Sequence, residues 1–81
     1  MSKENNLIHQ TVRWGGGYVA VGKENEVSDV AVHGWVKRGL PPTEWTGETG
    51  YAKVMVKMAR KNGFHITRKQ LLDFSLKLRH S

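Results

Sequence analysis

Along residues 27–39 the chain reads VSDVAVHGWVKRG, and its apolar positions recur at helical spacing. Ala31, Val32 and Trp35 share one face, which leaves Asp29, Val30, His33, Gly34 and Lys37 on or near the other. The ends are marked as clearly as the faces. Ser28 can accept a hydrogen bond from an unpaired amide of the first turn, and Asp29 adds a negative charge where the helix dipole favours one. Gly39 suits the left-handed conformation that stops many helices, and Pro41 and Pro42 cannot prolong one. The pattern predicts a short helix over residues 28–38.

The same reading applied to the rest of the chain yields further short elements. In residues 6–14, Leu7, Ile8, Thr11, Val12 and Trp14 fall in a loosely helical arrangement, and residues 1–5 read as a polar, flexible arm. Residues 18–25 suit a second helix. Tyr18, Val19 and Val21 also favour strands, however, and the preceding Gly15, Gly16 and Gly17 suit a hairpin, so pairing of residues 11–14 with 18–21 competes with it. Beyond the prolines, Thr43, Glu44 and Trp45 suggest one helical turn. Residues 51–61 form a clearer helix, with Tyr51, Val54, Met55, Met58 and Ala59 along one side and Lys53, Lys57, Arg60 and Lys61 mostly on the other. Thr67 followed by Gln70 has the form of a capping box opening a last helix that carries Leu71, Leu72, Phe74, Leu76 and Leu78. The expected fold is a mainly α, single domain of four or five helices, with a short N-terminal β-hairpin as the competing arrangement.

Charge changes the picture more than composition does. The net charge is +6 over 81 residues, and its placement is uneven. Basic and acidic residues nearly cancel as far as residue 52; from there on Lys53, Lys57, Arg60, Lys61, Arg68, Lys69, Lys77 and Arg79 face Asp73 alone. A polyanionic partner is the expectation, since phosphates are drawn to such an excess. A chain this short buries only about two-thirds of its unfolded surface. It has no cysteine to reinforce so small a core, which suits a reducing compartment. No stretch resembles a signal peptide or a membrane span, so the expected location is the cytoplasm of a bacterial or phage-infected cell.

Residues 18–37, YVAVGKENEVSDVAVHGWVK, fill the window of a helix-turn-helix. This stretch resembles the DNA-binding core of the small phage Cro-type repressors and the related YdaS-like regulators. In those proteins a pair such as Val27-Ser28 opens the recognition helix, and a tryptophan followed by basic residues, glycine and proline closes it, as Trp35-Val36-Lys37-Arg38-Gly39-Leu40-Pro41-Pro42 does here. The segment Gly63-Phe64-His65-Ile66-Thr67-Arg68-Lys69-Gln70-Leu71 resembles one near the end of such proteins. Val21, Val27, Val32 and Trp35 match positions that must be apolar where the two helices cross, and Gly22 matches one that admits only a small side chain. Two positions depart from the family: Glu26 stands where a turn glycine is usual, and Asn25 where an apolar residue is. Asn25 is itself a candidate for the left-handed turn conformation.

The resemblance implies that Ser28, Asp29, Val30, His33 and Gly34 point to base edges, with Lys37 further along. Asp29 would accept from a cytosine amino group, Val30 would pack on a thymine methyl, and His33 would donate to a purine N7 or a phosphate. Lys23, Arg38, Lys53, Lys57, Arg60 and Lys61 would hold phosphates, setting affinity and register without reading sequence. The function implied is that of a double-stranded-DNA-binding transcriptional regulator, a homodimer on a palindromic operator with Leu76 and Leu78 as dimer contacts. The alternative is a small basic protein-interaction module, such as an antirepressor or an inhibitor of a host protein. A third reading is non-specific nucleic-acid coating.

Other chemistry finds no support in the chain. His9, His33, His65 and His80 have no helical i, i+4 partner for a metal. The triple glycine lacks the spacing and lysine of a phosphate loop, and no nucleophile, base and acid stand in a familiar arrangement. No enzyme, cofactor, metal or small-molecule substrate is expected.

Overall fold

The computed structural model describes residues 6–80, and among these there are six helices and no strand. They are α1 (Leu7–Trp14), α2 (Tyr18–Glu24), α3 (Asp29–Arg38), α4 (Thr43–Thr46), α5 (Tyr51–Lys61) and α6 (Arg68–His80). The arm expected at residues 1–5 lies outside the described residues. No described helix is long and apolar enough to cross a membrane.

The competing hairpin is not formed, and the count of helices exceeds the four or five expected. The side chains of residues 11–21 explain the first point. Ile8 and Val12, one helical turn apart, are both fully buried with Val21 in one core, and the Thr11 hydroxyl donates to the Leu7 carbonyl at 2.8 Å within the helix. The glycines that suited a hairpin turn instead end α1. The Gly17 amide donates to the Val12 carbonyl at 2.9 Å and the Gly16 amide to that of Arg13 at 3.1 Å, with Gly16 at φ 107°. This paired closure satisfies carbonyls that the last helical turn leaves open.

The same closure ends α5 and α2. At α5, Phe64 donates to Ala59 and Gly63 to Arg60, both at 3.0 Å, with Gly63 at φ 87°. At α2, Val27 donates to Gly22 at 2.9 Å and Glu26 to Lys23 at 3.2 Å. Here the left-handed residue is Glu26, at φ 59°, while Asn25 sits at φ −92° and donates its side-chain amide to the Val21 carbonyl at 2.9 Å. The left-handed position expected of Asn25 is therefore one residue later, because Asn25 is the cap and the residue after the cap must reverse the chain. A side chain there costs about 1–2 kcal/mol relative to the right-handed conformation. Glu26→Gly should accordingly stabilise the domain by about 0.5–1 kcal/mol once the added freedom of the unfolded chain is subtracted. A thermal melt should register a rise of about 2–8 °C; a fall would mean that the Glu26 side chain contributes more than its backbone strain.

The core unites Ile8 and Val12 of α1, Val21 of α2, Val32, Trp35 and Val36 of α3, Ala52, Met55 and Ala59 of α5, and Leu71 and Leu72 of α6, with Leu40 and Ile66 from connections. On α5 the buried stripe runs through Ala52, Met55 and Ala59, with Tyr51, Val56 and Met58 beside it. Helices α1 and α6 touch, and α3 and α5 each pack on both. Little joins α3 to α5 beyond the rings of Trp35 and Tyr51, stacked with centroids 4.6 Å apart.

Candidate nucleic-acid interface

Helix α3 is held at its start by its neighbours in the chain and toward its end by residues distant from it. At the start Ser28 takes the extended backbone of an N-cap, and its hydroxyl accepts from the Ala31 amide at 3.3 Å. The turn before it closes against α2 because Gly22 has no side chain: a Cβ there would lie 2.9 Å from the Val27 carbonyl oxygen and 3.2 Å from Ser28. In the middle Val32 and Trp35 enter the core. Toward the end the buried Asn6 donates its side-chain amide to the Val36 carbonyl at 2.7 Å, while its Oδ1 accepts from the His9 amide at 2.9 Å and caps α1. Just past the end, Gly39 passes so close to α6 that a Cβ would lie 2.9 Å from the Ser75 carbonyl oxygen. The Leu40 amide donates to Ser75 Oγ at 3.2 Å, which fixes that crossing.

With that side anchored, the opposite side is open. Ser28, Asp29, Val30, His33 and Lys37 are exposed, Gly34 is half-buried, and a Cβ built on Gly34 would meet nothing within 4 Å. Val30 is 72% exposed, a large apolar surface for a helix this well anchored. His33 is less free than its exposure suggests. Its ring lies flat on that of Tyr18 at the start of α2, with centroids 3.6 Å apart and planes 8° from parallel. The stack covers one face of the imidazole and links α2 to α3. Tyr18 carries a buried hydroxyl with no hydrogen-bond partner.

The cations named with this face divide between two places. Lys23 on α2 and Lys37 and Arg38 on α3 are exposed on the helix pair itself. Lys53, Lys57, Arg60 and Lys61 are also exposed, but on α5 and not on the helix pair. Two other members of the C-terminal basic excess are tied to the fold. Arg68 donates to the Glu44 carbonyl at 2.9 Å; Arg79 donates to the Leu40 carbonyl and lies 5.6 Å above the Trp45 ring. Of the apolar residues named as dimer contacts, Leu76 is exposed whereas Leu78 packs against the core.

Glu44, read from the sequence as part of one helical turn, is fully buried. Its Oε1 accepts from the Ala52 amide at 2.8 Å and its Oε2 from the Tyr51 amide at 3.0 Å and from the Thr49 hydroxyl. It thus satisfies amides of the first turn of α5 that Gly50, the residue before the helix, cannot cap. The available signal was the lack of a capping side chain before Tyr51, with an acid a few residues upstream.

A comparison with protein-family models, with curated proteins and with solved structures finds no match.

Proposed function

We propose that this protein is a sequence-specific double-stranded-DNA-binding regulator of transcription whose α2–turn–α3 unit reads operator bases. The observation that carries the reading is the outward face of α3: a helix anchored along its length by α2, α1 and α6 that leaves Ser28, Asp29, Val30, His33 and Lys37 exposed. A rod of this length fits a major groove about 12 Å wide. Asp29 is suited to accept from cytosine N4, Val30 to meet a thymine methyl, and the free edge of His33 to donate to a purine N7. Phosphate contacts at the same duplex fall to Lys23, Lys37 and Arg38. The resemblance to Cro-type and YdaS-like repressors supports this assignment through residues 27–42, and through the position of Gly22 against the turn.

Such a unit acts by occupancy, as a homodimer on a palindromic operator. Its recognition helices enter successive major grooves about 34 Å apart, and the bound protein blocks polymerase. The exposed Leu76 is available to a dimer contact. Sedimentation at rising concentration should reveal a dimer. A monomer at every concentration that still binds its operator tightly would remove this part of the proposal.

Selection of preferred duplexes from a random pool, followed by titration at several salt concentrations, tests the main reading. Specific recognition predicts a steep salt dependence together with a preference of at least about a thousandfold over random duplex. A coating protein would give the slope without the preference. Weak, indifferent DNA binding would instead assign the face to a protein partner, a role for which the exposed Val19 and Val30 on neighbouring helices are suited.

A further inference from the structure

Helix α5 carries Lys53, Lys57, Arg60 and Lys61, all exposed. Their spacing forms one stripe along the helix, about 12 Å long at 1.5 Å per residue. Among the described residues none of the four is paired with an acid. The stripe ends beside an aromatic pocket. Asn62, the next residue after Lys61, donates its side-chain amide to the Trp14 carbonyl at 2.6 Å and so joins the end of α5 to the end of α1. There the rings of Trp14 and Phe64 are stacked with centroids 4.7 Å apart and planes 6° from parallel, and Phe64 remains 40% exposed. Gln10, Arg13, Trp14, Gly16, Asn62 and Phe64 line an open pocket of about 500 Å³.

From this juxtaposition we infer a second nucleic-acid site, for a single strand, separate from α3. Cations spaced along a helix suit a flexible phosphate backbone, and an aromatic ring with an exposed face suits an unstacked base, whatever its identity. Arg13 adds a charge at the pocket. A duplex would use the stripe but not the pocket, since its bases are stacked on one another. The aromatic pocket beside the stripe therefore favours the single strand.

The test is a titration of the full chain with labelled oligothymidine, alone and in the presence of the selected duplex. Phe64→Leu, which keeps apolar cover over Trp14 but removes the ring, should weaken oligothymidine binding about tenfold. Lys57→Glu with Arg60→Glu should weaken it further and flatten its salt dependence. Val30→Ala with His33→Ala should leave it unchanged, and oligothymidine and duplex should bind together in one complex. Phe64→Tyr, which retains the ring, should bind as the parent does and controls for folding. The inference fails if oligothymidine does not bind, if binding ignores both Phe64→Leu and the charge reversals, if it follows the α3 variants, or if duplex and single strand exclude each other. Failure of sequence preference on duplex DNA would overturn the proposed function alone, because the single-strand titration is read without it.

Discussion

Glu44→Ala should destabilise the domain by about 3 kcal/mol, a large share of the roughly 5–15 kcal/mol that keeps a typical domain folded. The side chain is fully buried, and both its oxygens accept from the start of α5. Alanine would leave the Tyr51 and Ala52 amides without their acceptor and a void where the carboxylate was. Each orphaned donor away from water costs about 1–3 kcal/mol. The expected thermal shift is a fall of about 12–24 °C. Glu44→Gln keeps the volume but turns a donor toward a donor, so it should fall between alanine and the parent. A melt of either variant within a degree or two of the parent would show that water replaces the carboxylate at little cost. Because Tyr51 stacks on Trp35, loosening the start of α5 should also loosen the support of α3. Duplex binding should then weaken in step with stability.

The second large effect is one of discrimination. Val30→Ala together with His33→Ala should reduce the preference for the selected operator at least about thirtyfold, since each base contact contributes about 1–3 kcal/mol and tenfold corresponds to about 1.4 kcal/mol. Binding to random duplex should change little. The Val30 change should affect folding little, since Val30 is 72% exposed and exposed substitutions are usually within about 0.5 kcal/mol. Removing the His33 ring also removes its stack on Tyr18, worth about 0.5–1.5 kcal/mol, so His33→Phe, which retains that stack, separates support from reading. Lys37→Ala and Arg38→Ala should act differently, weakening all duplexes alike. If the double variant binds operator and random DNA as the parent does, α3 is not the reading helix.

The local signals proved reliable where a few neighbouring residues sufficed. Ser28 and Gly39 bound α3 as expected, and residues 51–61 form α5. Thr67 and Gln70 make the reciprocal capping pair, with Gln70 donating to Thr67 Oγ1 at 3.2 Å and Thr67 to Gln70 Oε1 at 2.9 Å. Residues 11–21 were ambiguous for a physical reason. Valine, tyrosine and glycine there satisfy both a hairpin and two helices, and only burial of Ile8, Val12 and Val21 in one core selects the helices. The left-handed position at Glu26 was hidden for a related reason: a glutamate gives no sign of that backbone, and the closing hydrogen bonds to Gly22 and Lys23 impose it.

What the chain determined by itself, then, is the set of caps and stripes that start, stop and orient each helix, above all α3, because these depend on residues within a turn or two of one another. Tertiary structure decided which charges are available. It drew Glu44 inside to cap α5, tied Arg68 and Arg79 to carbonyls 24 and 39 residues away, and laid His33 on Tyr18. No local pattern encodes the contacts of Arg68, Arg79 and His33, since each depends on where another element comes to rest, whereas Glu44 leaves a local trace in the uncapped start of α5.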